Sequence, residues 1–107
     1  MALSPSGIVN QTQLAESVRI AVAKLDKGEV RSVRYSIGAD SSGETTIFFR
    51  ILLSDYASQE SRLGDVTSRV ATILFDEIRP YENWGILPDF SFRSESEQVK
   101  HYDPAWK

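Results

Sequence analysis

The chain has 107 residues, 41% hydrophobic and 25% charged, with a formal net charge of −3; this fits one globular domain with a single core rather than a disordered chain. It holds no cysteine and one histidine, His101, which excludes disulfide stapling, thiolate metal sites, iron–sulfur clusters, cysteine nucleophiles and any multi-histidine metal site. The opening MALSPSGIVN lacks the charged and apolar regions of a signal peptide and no apolar run could span a bilayer, so the expectation is a cytoplasmic protein with no membrane partner.

The acidic total argues against gripping phosphate backbones over the whole surface. Arginine outnumbers lysine eight to four, a bias toward bidentate and stacked contacts.

Residues 1–9 carry Ser, Pro and Gly and read as a loose start. Leu14, Val18, Ala21, Val22 and Leu25 then recur at helical spacing, predicting a helix over about 11–27 with Asn10 as N-cap and Gly28 just past its end. VRSVRYSIG, residues 30–38, alternates with period two and predicts a half-buried strand, with Val33, Tyr35 and Ile37 on one side. ADSSGE, residues 39–44, is turn-forming, so a hairpin is expected whose second strand covers 45–54. A second helix, capped by Asp55 or Ser58, carries Leu63, Val66, Val70, Ile73, Leu74 and Ile78 to a stop near Arg79, before Pro80. Gly64 lies inside it at a cost of about 1 kcal/mol relative to alanine unless close packing needs the missing side chain. PYENWG reads as a turn in which Tyr81 and Trp84 plug the end of the core. ILPDFSFRS, residues 86–94, alternates again, and Pro88 suits an edge strand or a strand start. The polar remainder is expected as a loosely ordered tail over about 97–107 of a single domain spanning 1–107.

This order predicts an α+β two-layer sandwich, αββαβ, with a three-stranded mixed sheet and two helices on one face. A hairpin gives an antiparallel pair, and a strand–helix–strand unit a right-handed parallel crossover. The run IFFRILL, residues 47–53, is then the central strand. Parity sends Ile47, Phe49, Ile51 and Leu53 toward the helices and leaves Phe48, Arg50 and Leu52 on the open face with Arg34, Ser91 and Arg93. An unpaired guanidinium is far cheaper there than beneath the helices. Exposed Phe48 and Leu52 form a patch that monomers avoid. Its cover is expected to be a second copy, another protein or the tail with Tyr102 and Trp106; an Arg50–Asp89 ion pair is the plainer alternative.

These six residues, Arg34, Phe48, Arg50, Leu52, Ser91 and Arg93, are therefore the candidate site. It is read as a non-enzymatic surface for a partner protein or for self-association, with a dimer expected. RNA or single-stranded nucleic acid on the same face is the alternative, since arginines beside an aromatic can stack bases. No catalytic residues, metal ligands or cofactor are assigned. Asp76, Glu77 and Glu82 lie at helix-end and turn positions that face water, ADSSGE matches no phosphate-binding loop, and RSESEQ reads as a solvated strand end.

VRYSIGADSSGETTIFFRILLSD, RVATILFDEIRP, FSFRSESEQ and DPAW together resemble a set of small uncharacterised bacterial proteins encoded beside HEPN-domain partners, most specifically in IFFR and FRSESEQ. The resemblance covers about residues 30–106 and implies a toxin–antitoxin or defence-type accessory role. The element order is also similar to truncated ferredoxin-like domains, an analogy of fold that carries no function.

Overall fold

A computed structural model describes residues 8–106. The elements are α1 (Gln11–Ala23), β1 (Val30–Ala39), β2 (Thr45–Leu53), α2 (Glu60–Ile78), a one-turn helix α3 (Pro80–Trp84), β3 (Pro88–Ser94), α4 (Glu95–Lys100) and a 3₁₀ turn over Pro104–Trp106. The architecture is the expected α+β sandwich, consistent with a truncated ferredoxin-like fold. β2 is central, antiparallel to β1 and parallel to β3.

Asp40 makes the hairpin. Its carboxylate accepts from the backbone N–H groups of Ser42 and Glu44 and from the Ser42 hydroxyl, while Gly43 takes the left-handed conformation at φ 87° that other residues enter at a cost. The turn fixes Arg34 opposite Arg50, Tyr35 opposite Phe49 and Ser36 opposite Phe48. Because the side-chain period of a strand is two, this one register sorts every residue of β2 between the faces.

The helix-facing side is the core. Ile47, Phe49, Ile51 and Leu53 pack with Leu14, Val18 and Ala21 of α1 and with Val66, Val70, Leu74 and Ile78 of α2. Phe49 stacks on Phe90 at 5.4 Å and tilts against Tyr35 at 6.2 Å. Ion pairs at the rim, such as Arg69 with Glu29 and Lys24 with Glu77, tie α2 to the segment before β1 and to the end of α1.

Several boundaries differ from the sequence expectation. α1 ends at Ala23 rather than near 27, because the Lys24 N–H turns back to the Ala21 and Val22 carbonyls; Gly28 instead donates its N–H to Asp26 Oδ1. Neither Asp55 nor Ser58 caps α2. Its N-cap is Gln59, without a side-chain bond, while Ser54 Oγ receives the Ala57 N–H and Asp55 is drawn away to Ser96. Arg79 takes the left-handed conformation, φ 51°, and ends α2 there, so that Pro80 begins α3, where its missing N–H is harmless. Trp84 is buried as expected, but Tyr81 faces solvent. The third strand starts at Pro88, two residues later than expected, although Ile86 is buried.

The largest difference lies after Ser94. The segment expected as a loose tail from about residue 97 begins within α4, because Ser94 and Glu97 form a reciprocal capping box. At the other end, the loose start expected over 1–9 falls outside the described residues for 1–7, while Val9 packs against the core.

Candidate functional site

The open face of the sheet is built by the same parity that builds the core. Phe48, Arg50 and Leu52 alternate with side chains exposed by 1% or less, Ile47, Phe49, Ile51 and Leu53, and are themselves half-buried. Across the antiparallel pair Arg34 stands directly opposite Arg50, and Ser32 opposite Leu52. Across the parallel pair Phe48 registers with Asp89, Arg50 with Ser91 and Leu52 with Arg93. All six candidate residues, Arg34, Phe48, Arg50, Leu52, Ser91 and Arg93, thus share one surface.

Its electrostatics are unbalanced. Side chains directly opposite each other on an antiparallel pair lie about 5 Å apart at Cβ, and like charges there repel. Arg50 Nη1 donates to Ser36 Oγ at 3.1 Å, and the Arg34 side chain has no hydrogen bond or ion pair among the described residues. Among the described residues the ion pairs are Arg19–Glu16, Lys24–Glu77, Arg31–Glu95, Arg69 with Glu29 and Asp65, and Arg79–Glu82. None involves Arg34, Arg50 or Arg93, so the Arg50–Asp89 pair weighed as the plainer alternative does not form: the register sets Arg50 beside Ser91 and leaves Asp89 two residues along the strand.

Arg93 spends its donors on the C-terminal segment. Nη1 donates to Gln98 Oε1 at 2.9 Å, and Nη2 donates to the His101 carbonyl. Gln98 Nε2 in turn donates to the Asp103 carbonyl at 2.8 Å, and the turn Pro104–Trp106 packs against β2. Since Arg93 belongs to the open face, the segment it holds runs over that face. Trp106, Phe48 and Leu52 are half-buried and Tyr102 is exposed. Of the three covers expected for the apolar patch, the tail is the one the chain itself brings near, through the Pro104–Trp106 turn against β2.

A second anchor sets where α4 starts. Asp55, just after β2, accepts from Ser96 Oγ at 2.7 Å and from Ser96 N–H at 3.0 Å. The Ser96 hydroxyl, then its N–H, hold the Asp55 carboxyl below its ordinary value of 3.8. Asp40 is lowered likewise, chiefly by the Ser42 hydroxyl. Arg31 Nε pairs with Glu95 Oε1 at 3.0 Å, bridging from β1 to the same helix. Gln98 and Asp55 were not singled out as functional positions from the sequence. The signal that could have found this docking is the Ser-x-x-Glu spacing of Ser94 and Glu97, which announces a helix start.

Among the described residues no three potential ligands are grouped as a metal site, and no helix is long and apolar enough to cross a membrane. A hollow of about 530 Å³ adjoins the open face beside Phe48, between the hairpin turn and the start of β3, lined also by Asp40, Thr46, Leu87 and Asp89. Its side chains offer carboxylates and hydroxyls, the Thr46 hydroxyl donating to Asp40 Oδ2 at 3.5 Å. Comparisons with protein-family models, with curated proteins and with solved structures find no match for this chain.

Proposed function

We propose that this chain is a non-enzymatic interaction module that binds a partner protein through the open face of its sheet, by way of Arg34, Phe48, Arg50, Leu52, Ser91 and Arg93. The observation that carries this reading is the Arg34–Arg50 pair, two guanidiniums set opposite each other with no carboxylate of the described residues on either. Folding alone gains nothing from such a pair, whereas a surface that brings carboxylates gains two bidentate acceptors at once. Laying two copies face to face sets guanidinium against guanidinium, so the partner on this face is a different protein with an acidic segment. Arginines beside a half-buried aromatic also suit an anchor of binding energy. A cytoplasmic accessory role beside an HEPN-domain protein belongs to the same proposal and rests on the resemblance of IFFR and FRSESEQ.

Nucleic-acid binding is the second reading, because unpaired guanidiniums also suit phosphate. Phe48 is the one aromatic that parity places in the strands' share of that face, which leaves little to stack on. The test is affinity capture from native extract with the full chain, wild type against Arg34→Ala/Arg50→Ala. The expected result is one acidic protein enriched by the wild type and reduced roughly tenfold or more by the double variant. Identical capture by both chains overturns the proposal, and capture that nuclease treatment abolishes replaces it with the nucleic-acid reading, for which affinity falls steeply with salt.

A further inference from the structure

We propose that a second copy of this chain pairs antiparallel with the outer edge of β3, about a two-fold axis at Ser91, so that two three-stranded sheets join into one. The open-face reading is not a premise of this inference: the backbone pairing uses the edge of β3, although Ser91 and Arg93 belong to both surfaces.

β3 pairs with β2 on one side, and nothing described pairs with its other side. An unpaired strand edge is a template for another strand, and this one is complementary to itself. In PDFSFRS, antiparallel pairing centred on Ser91 sets Asp89 opposite the second copy's Arg93, Phe90 opposite its Phe92 and Ser91 opposite its Ser91. Two-fold symmetry gives the charge pair and the aromatic pair twice. Among the described residues the exposed Asp89 side chain has no hydrogen bond or ion pair, and Arg93 bonds to Gln98 and the His101 carbonyl but to no carboxylate. Each lacks what the other brings.

The layer above the edge is also unfinished. Phe90 and Phe92 point toward the helices yet are half-buried, while their neighbour Phe49 is 1% exposed. A groove of about 640 Å³ runs between α2 and β3 past Leu63, Gly64, Thr67 and Phe92. A smaller hollow of about 250 Å³ continues past Ala71, Phe75 and Phe90. A Cβ added at Gly64 meets nothing within 4 Å, so the chain's own packing does not require the glycine that interrupts α2. An axis perpendicular to the sheet brings the second copy's helix layer to the same side.

The opposite edge fits a second copy less well. Pairing β1 with itself about Arg34 sets that guanidinium against its own copy. Pairing about Tyr35 leaves two copies of Arg34 on the diagonal, with no carboxylate in the strand. The register of β1 is also broken between Val30 and Ser32, a device that blunts edges.

The test is light scattering of the full chain over a concentration series. A dimer is expected. Asp89→Arg, which opposes like charges twice, is expected to raise its dissociation constant roughly tenfold or more, and Asp89→Arg/Arg93→Asp is expected to restore it. Because Arg93 also holds the tail, a second variant decides independently of that residue. The chain has no cysteine, so Ser91→Cys carries a single thiol opposite its own copy and, with diamide added to take up the two electrons and two protons, should give a disulfide-linked dimer, while Ser36→Cys on β1 forms no covalent dimer. A wild type that remains monomeric, a dimer indifferent to Asp89→Arg, or crosslinking of Ser36→Cys as readily as Ser91→Cys overturns the proposal. None of these readouts involves a protein partner, so failure here leaves the open-face reading standing, and the reverse.

Discussion

The two faces of β2 come from one nine-residue segment and obey different rules. On the helix side, Ile47, Phe49, Ile51 and Leu53 are selected for volume and apolarity and are closed to water. On the other side Phe48, Arg50 and Leu52 sit under a partial cover of tail, with Arg50 facing Arg34 across the pair. The contrast teaches that an arginine inside the most apolar stretch of a chain is no anomaly in a strand. Alternate residues live in different solvents, and the guanidinium belongs to the wetter one.

The sharpest way to break this comparison is truncation on either face. Phe49→Ala removes a fully buried ring stacked on Phe90 and is expected to cost about 3–5 kcal/mol of unfolding free energy. Phe48→Ala, one residue away on the half-covered face, is expected to cost about 1 kcal/mol. Urea denaturation of the two variants measures the difference; equal losses mean that the tail buries the open face as thoroughly as the helices bury the other.

Acid sharpens the same comparison with a smaller effect, because it acts on the cover and not on the core. Asp55 has a folded pKa below that of the unfolded chain, so the folded state binds fewer protons than the unfolded one between the two values. Its contribution is fully present above the unfolded value and is lost as pH falls through the folded one. Below about pH 4 the first turn of α4 is therefore expected to loosen from the end of β2, read as faster hydrogen exchange over residues 95–100, and Asp55→Asn is expected to remove that acid step. Asp40 acts in the same direction on the hairpin, so exchange in β1 and β2 is the control.

Much of this was legible in the sequence. Period-two alternation in β1 and β2, with the turn at Asp40 and Gly43, is a local signal, and it sorted the strand residues between the faces correctly. The ends of helices were less legible because each was decided by a competition between groups. Asp55 could cap α2 or receive Ser96, and it does the latter; Gly28 could end α1 in a left-handed turn, yet Lys24 closes that helix earlier. The docking of the tail depends on Arg93 meeting Gln98 and the His101 carbonyl, contacts set by where a short helix points after its capping box and not by composition. The pairing of Arg50 with Ser36 instead of Asp89 likewise needed the register of three strands at once.

The smallest expected effect is the most telling. If Arg34 and Arg50 serve a partner and not the fold, removing both leaves the core untouched and relieves a repulsion between opposite positions. The unfolding free energy of Arg34→Ala/Arg50→Ala, measured in urea at low salt, is expected to equal or slightly exceed that of the wild type. A loss of more than about 1 kcal/mol contradicts the account, because guanidiniums that stabilise the sheet on this scale are structural.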